Sequence, residues 1–401
     1  MTSLNNGRLN FGQGTALLIG AVLGPGTLVL PRLASDAAGP ASILAWAGLL
    51  LLSVPVALTF AALGVRHPGS GGVAAFTALA FGPRASAVVG WWFFGSVPVG
   101  TLAGALVGGE YVAATLHVDA RIVAFGLLAA AVATNALGLR TSGRIQLGLV
   151  SLLVLLLATA VITAAPHLRA DRFTPFAPHG ALGVAHAAGV LFFAFVGWEA
   201  ATHLSAELTG IRRATLAALT VVGLLYLGLA VTTTGFGAST VTDLLTPVLG
   251  RAAAPVTAVA ALFLTFGAIN TYIAGAARLG TALARDRLLP RVFTDLHRSL
   301  LLIAALMAVA AVPVALWDIG LDPLMRATAA CLAAVTTAGV AAAVRLLPSR
   351  TAMIATVASA VGLLCCGPYL LVPALLAVAV GGVAEYTLVS GGSVSCEPRA
   401  E

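Results

Sequence analysis

The chain has 401 residues, of which 60% are hydrophobic and 9% are charged, whereas roughly 25% of the residues in an average soluble domain are charged. So few charged side chains cannot cover a folded chain of this length in water, which excludes a soluble globular protein. The net charge of +7 does not indicate a nucleic-acid partner, because the arginines stand singly or in pairs between apolar runs. All 21 basic side chains are arginines, which excludes a mechanism that needs a lysine amine.

Apolar runs of about twenty residues, each long enough to cross a hydrocarbon core of roughly 30 Å as a helix, recur along the whole chain. We therefore predict an all-α membrane protein that forms a single polytopic domain over residues 1–401. Turn signals and charges divide it into about twelve predicted spans. They lie near 14–34, 41–64, 86–116, 121–139, 145–165, 181–207, 214–238, 252–284, 299–316, 323–344, 351–366 and 368–388.

The distribution of arginine predicts the orientation, because positive charge is retained on the cytoplasmic side of a membrane. With the N-terminus in the cytoplasm, most arginines fall in cytoplasmic connections. We therefore expect both termini in the cytoplasm of a multi-pass protein of the inner membrane.

The first and sixth spans share a break near the middle of an apolar helix. Small or helix-breaking residues interrupt them at 23–27 and at 193–198. The two spans run in opposite directions, as expected of inverted repeats with discontinuous helices. We predict a five-plus-five core with repeat one over about 14–165, repeat two over about 181–344, and two additional helices over about 351–388.

The first break, Gly24-Pro25-Gly26, costs roughly 3 kcal/mol at proline and about 1 kcal/mol at each glycine. In a bilayer it persists only where it lines a cavity or is buried in protein. In a cavity, the freed N–H groups of Gly24, Gly26 and Thr27 would receive a substrate carboxylate at a half-helix N-terminus. In a packed helix, the same residues would form a proline kink.

The sixth span carries Glu199, His203 and Glu207 four residues apart, which places all three along one stripe of a helix. An ionisable group at membrane depth is a functional candidate. We predict that Glu199, directly after the break, carries a coupled proton. His203 is either a packing residue or a proton relay, and Glu207 is predicted to form an interfacial ion pair.

Other polar residues of the spans allow two interpretations each. Glu110, Asn270 and His186 either form part of a site or hydrogen-bond a neighbouring helix, which is the commoner role. Hydroxyl groups in the fifth and eighth spans are either packing groups or Na⁺ ligands: Thr159, Thr163, Thr265 and Thr271. The cysteines show no metal-ligand spacing, and no cofactor is predicted.

Three motifs in this order resemble the amino acid-polyamine-organocation superfamily of permeases. The first is Gly20-Ala21-Val22-Leu23-Gly24-Pro25-Gly26-Thr27 with Pro31. The second is Pro68-Gly69-Ser70-Gly71-Gly72 with Phe76, Phe81-Gly82 and Gly90-Trp91. The third is Phe193-Ala194-Phe195-Val196-Gly197-Trp198-Glu199. Within the superfamily, Val73-Ala74, Trp198-Glu199-Ala200 and His203-Leu204 look most like bacterial exporters of methionine and branched-chain amino acids.

The resemblance implies a substrate site at the two breaks. Gly24, Gly26 and Thr27 would bind the carboxylate of an amino acid, and Phe193 would close over it. The backbone carbonyls that would bind its ammonium group belong to Ala194, Phe195, Val196 and Gly197. Pro25 stands where the superfamily usually has Ser or Thr, which removes a hydroxyl and an N–H from this chain.

The function we predict is secondary transport of neutral, hydrophobic amino acids by alternating access, with proton-coupled export as the preferred mode. Its partners are then the amino acid, protons and the lipid bilayer. One alternative is a proton-coupled importer of neutral amino acids or amines. Another is an intramembrane enzyme, which would need a nucleophile with its base or a set of metal ligands.

Overall fold

The computed structural model describes residues 11–67, 72–138, 143–199 and 210–380, and every regular element in these ranges is a helix. The first eight α-helices are α1 Phe11–Val22, α2 Leu30–Ala38, α3 Ser42–Arg66, α4 Gly72–Phe81, α5 Pro83–Leu116, α6 Ala120–Ala136, α7 Gly143–Ala164 and α8 Gly180–Leu191. They are followed by α9 Ile211–Phe236, α10 Val241–Leu249, α11 Ala253–Arg285, α12 Leu296–Trp317, α13 Leu321–Leu346, α14 Arg350–Leu364 and α15 Gly367–Val380. Each predicted span contains at least one of these helices, which confirms the all-helical class.

Seven helical stretches of the described chain are long and apolar enough to cross a membrane. They are Leu30–Arg66, Pro83–Leu116, Leu147–His167, Ile211–Phe236, Val241–Arg285, Leu296–Trp317 and Leu321–Leu346. The pair α14 and α15 is bent by 113° and gives an eighth if it forms one span. The first and sixth predicted spans do not appear as single long helices, because both are broken as predicted. Twelve crossings stay a prediction.

Two short helices, α4 and α10, were not predicted, because each is far shorter than a membrane span. The C-terminal end of α4 is held by Arg345 of α13, whose Nη1 donates to the Ala80 carbonyl at 2.9 Å. The same guanidinium lies 4.7 Å from the centre of the Phe81 ring. A capping box of Thr240 and Asp243 begins α10, as is common where a helix starts in a connection.

Contacts between connections show which helix ends share a face of the molecule. Arg121, at the start of α6, pairs with Asp318 at the end of α12 at 3.2 Å. The Arg169 N–H donates to the Gly235 carbonyl at 2.9 Å, which joins the connection after α7 to the end of α9. These pairs fit successive spans that run in alternating directions.

The helix α5 lies centrally and packs against α4, α6, α11 and α13. At Gly104, an added Cβ would lie 3.5 Å from Pro25 of the first break and 3.8 Å from Ile269 of α11. Because Gly104 has no side chain, α5 can pack closely against both the first break and α11. This packing places the break in the middle of the helix assembly.

Candidate functional site

The first break consists of an extended residue followed by a short 3-10 turn. Gly24 has φ −107° and ψ −176°, and the turn Pro25–Leu28 follows before α2 begins. Both the N–H and the hydroxyl of Thr27 donate to the Gly24 carbonyl, at 3.1 and 2.8 Å. The Thr27 amide, expected to be a free donor, therefore closes the turn. In the described chain, the amides of Gly24 and Gly26 have no backbone acceptor.

The two glycines of this break have different surroundings. A Cβ on Gly24 would meet no atom within 4 Å, so Gly24 borders open space on the side where a side chain would stand. A Cβ on Gly26 would come within 2.9 Å of Cδ1 of Phe193, the half-buried ring that follows α8. Gly26 and Phe193, predicted separately from two distant segments, thus lie side by side.

The sixth span breaks after the 3-10 turn Phe192–Phe195. Val196 is extended, with φ −81° and ψ 151°, and Gly197 has φ +116°, a conformation that residues with a Cβ rarely adopt. A Cβ on Gly197 would also overlap the carbonyl of Ala21 at the end of α1. The unwound segment therefore lies directly against the C-terminal end of the first half-helix.

Tyr226 of α9 joins the two breaks through its side chain. Its hydroxyl lies 3.3 Å from the carbonyl of Val22, the last residue of α1, and 3.0 Å from the carbonyl of Ala194. The ring is buried against Trp46 and Phe195, with centroid separations of 4.9 and 5.4 Å. The phenol has one hydrogen, which the two carbonyls at the ends of the broken helices share.

Sequence reasoning missed Tyr226 and Trp46. The available signal was a hydroxyl-bearing aromatic residue in an otherwise apolar span, since a buried Tyr hydroxyl usually has a hydrogen-bond partner. That signal does not say which helix supplies the partner.

Glu199 turns back onto the sixth break. Its Oε2 accepts a hydrogen bond from the N–H of Gly197 at 3.0 Å, and its side chain is half-buried. A carboxyl group thus stands beside the unwound backbone. Some residues named in the sequence analysis lie outside the described residues: the Pro68–Gly71 stretch, Ala200, His203, Leu204 and Glu207.

Asn270 hydrogen-bonds a neighbouring helix, one of the two roles considered for it. Its Oδ1 accepts from Thr134 at 2.8 Å and from Asn135 at 2.6 Å, both on α6. Of its neighbours on α11, Thr271 donates to the Gly267 carbonyl of its own helix at 2.9 Å. The buried Thr265 hydroxyl has no partner among the described residues.

The remaining candidates bond other helices or are exposed. Thr163 of α7 donates to the Leu244 carbonyl of α10 at 2.9 Å. Glu110 and His186 are exposed, and the His186 backbone carbonyl accepts from Arg326 at 2.8 Å. Within the ranges described, no three His, Cys, Asp or Glu residues cluster as a metal site. An apolar groove between α6 and α12 takes no residue from either break.

Comparison with known proteins identifies what the chain resembles as a whole. A sequence model described as amino acid permease matches residues 9–380. The uncharacterized amino acid permease YecA of Bacillus subtilis is 36% identical over 394 residues, which cover 92% of this chain and 93% of the relative. The L-methionine/branched-chain amino acid exporter YjeH of Escherichia coli is 32% identical over 289 residues, 68% of each chain.

Solved structures show the same fold at low sequence identity. A crystal structure of a mutant of the Eremococcus coleocola manganese transporter superposes with a TM-score of 0.58. The superposition covers 94% of both chains, and 12% of the residues are identical. At this identity the likeness concerns the fold alone.

Proposed function

This chain belongs to the amino acid permease family, and from that premise we propose that it is a secondary transporter of neutral, hydrophobic amino acids. The observation that carries the proposal is the meeting of the two broken helices, with Phe193 lying on Gly26. Discontinuous helices that meet within a membrane protein are the usual place for a transporter's substrate.

In the proposed site, the substrate carboxylate binds the amides of Gly24 and Gly26, which have no backbone acceptor in the described chain. Thr27 donates its hydroxyl and its N–H to the Gly24 carbonyl. It therefore stabilises the turn that presents the two glycine amides and does not itself bind the carboxylate through a free amide. The ammonium group binds carbonyls in the stretch Ala194 to Gly197. Phe193 closes over the bound molecule.

The proposed selectivity for neutral side chains follows from the position of Glu199. Its carboxylate accepts the Gly197 N–H, and in this proposal it stays with the unwound backbone instead of pairing with a cationic side chain of the substrate. The apolar residues around the breaks, among them the buried Phe195 and Val196, suit a hydrophobic side chain.

For energy coupling we propose protons that bind Glu199, with His203 as the relay toward the cytoplasm. Similarity to the methionine and branched-chain amino acid exporter supports export over import. We place the protein in the cell's inner membrane with both termini in the cytoplasm. The amino acid leaves chemically unchanged, which separates this function from that of an intramembrane enzyme.

Solute counterflow tests the proposal. Purified protein is reconstituted into liposomes, and the liposomes are loaded with one unlabelled amino acid at a time. Uptake of the same amino acid in labelled form is then measured. Chromatography of the accumulated label shows whether the amino acid is chemically unchanged. We expect transient accumulation of unmodified methionine, leucine, isoleucine or valine. Accumulation limited to arginine or polyamines would refute the substrate class, and a chemically altered solute would point to an enzyme.

A further inference from the structure

Tyr111, near the C-terminal end of α5, lies between the first break and the short helix α10. Its hydroxyl donates to the Leu28 carbonyl at 2.9 Å and accepts the N–H of Val241 at 3.2 Å. Leu28 ends the 3-10 turn that carries Gly26, and Val241 is the first residue of α10. The side chain is 6% exposed, so water does not readily replace either bond.

Neither partner of this hydroxyl has a backbone alternative in the described chain. Pro31, three residues after Leu28, has no N–H, and no backbone donor reaches the Leu28 carbonyl. The Val241 N–H is one of the first amides of a helix, which have no acceptor inside it. The capping side chain of Thr240 serves the Asp243 amide instead.

The helix α10 is fastened to other parts of the protein on its remaining sides. Thr163 of α7 donates to the Leu244 carbonyl at 2.9 Å. The hydroxyls of Thr242 and Thr257 lie 2.7 Å apart, which ties α10 to α11. A displacement of the outer half of the first span must therefore break the Tyr111 bond or pull against a helix that is held elsewhere.

We propose that Tyr111 is a positioning residue of the transporter: its hydroxyl couples the outer half of the first span, and with it the Gly26 turn, to α10. The inference rests on the proposed function, because only a moving first span gives this coupling a role. Alternating access requires parts of the protein to rock against one another around the site. Tyr111 determines which parts move together when the first span moves.

The test is hydrogen–deuterium exchange of the purified full-length protein without substrate, resolved for residues 26–38 and 241–249. Tyr111→Phe keeps the ring and removes the hydroxyl. We expect exchange to rise about fivefold in both segments, because each segment loses one of the two buried hydrogen bonds of this hydroxyl.

Thr163→Val is the matched control, because it releases α10 from α7 and leaves the first span untouched. It should accelerate exchange in 241–249 alone. The proposal is overturned if Tyr111→Phe leaves exchange in 26–38 at the unmodified rate, or if Thr163→Val raises it equally.

Val241→Pro is the second variant, for use if Tyr111→Phe does not fold. Proline is tolerated at the first position of a helix, and Thr240 before it is already extended. The substitution removes the N–H that Tyr111 accepts and replaces the buried Val241 side chain by a ring of similar size. Faster exchange in both segments is expected, and unchanged exchange in 26–38 would overturn the coupling.

A transport measurement links this coupling to the site. In counterflow, Tyr111→Phe should raise the half-saturating amino acid concentration about fivefold, and Thr163→Val should leave it unchanged. An equal rise in both variants would contradict a specific role for Tyr111. If the unmodified protein moves no amino acid, the proposed function fails, and the exchange data still decide the inference about Tyr111.

Discussion

At the scale of single residues, the contacts of Glu199 allow its charge to be tested separately from its structural role. Glu199→Gln keeps an oxygen that can accept the Gly197 N–H, found at 3.0 Å, and removes the titratable proton. We expect exchange of amino acid without a gradient to survive and accumulation driven by a pH gradient to be lost. The measurement is transport by reconstituted protein with and without an imposed pH gradient.

Glu110→Gln is the control for this variant, because Glu110 is a second carboxyl group of the spans and is exposed on α5. It should respond to the gradient as the unmodified protein does. A full response by Glu199→Gln would make Glu199 a capping residue of the unwound segment and place the coupling group elsewhere.

The sequence predicts that the glycines of the two breaks belong to the site, because a glycine destabilises a membrane helix and is expected only where the backbone conformation requires it. It does not predict that Gly197 lies on the Ala21 carbonyl, or that Tyr226 spans from Val22 to Ala194. Those contacts join segments far apart in the chain, and local propensity carries no information about them.

At the scale of helices, Asn270 joins α6 to α11. Asn270→Leu keeps a similar volume and removes the side-chain oxygen that accepts from the Thr134 hydroxyl and the Asn135 amide. Asn135 retains its longer bond to the backbone carbonyl of residue 270, at 3.3 Å. We expect a loss of about 1 to 2 kcal/mol in the free energy of unfolding. Thermal unfolding of the purified protein in detergent measures it as a lower midpoint.

The neighbouring Thr271→Val is the matched variant, since among the described residues the Thr271 hydroxyl bonds the Gly267 carbonyl of its own helix alone. Its midpoint should stay near that of the unmodified protein. Equal midpoints for the two variants would show that the Asn270 contacts do not stabilise the α6 and α11 pair.

Helix boundaries were predictable wherever an apolar run ended at a turn signal. The predicted span 86–116 corresponds to α5, Pro83–Leu116, and 323–344 corresponds to α13, Leu321–Leu346. The short helices α4 and α10 escaped prediction because hydropathy over a membrane thickness averages out a helix of nine or ten residues. Their positions depend on tertiary contacts, such as that of Arg345 with Ala80.

At the scale of the whole molecule, the orientation of the chain in the membrane is predicted from the distribution of arginine. The fold itself does not determine which face lies outside. The contact of Arg121 with Asp318 joins the start of α6 to the end of α12, and that of Arg169 with Gly235 joins the connection after α7 to the end of α9. From the arginine distribution we predict that both contacts lie outside. Fusion reporters at the two termini should then both indicate the cytoplasm. A C-terminus outside would mean that the region 351–388 crosses the membrane once.

The central claim is that the two breaks together hold the amino acid, and Gly26→Leu tests it most directly. The added side chain must enter the space of the Phe193 ring, which lies 2.9 Å from a Cβ at this position. Gly126→Leu is the control, because Gly126 is exposed on α6 with no atom within 4 Å of an added Cβ.

Both variants are purified, checked for a single symmetric elution peak and compared in counterflow of the best substrate. We predict that Gly126→Leu transports like the unmodified protein and that Gly26→Leu, although folded, does not transport. Near-normal uptake by Gly26→Leu would contradict the account and remove the first break from the substrate site.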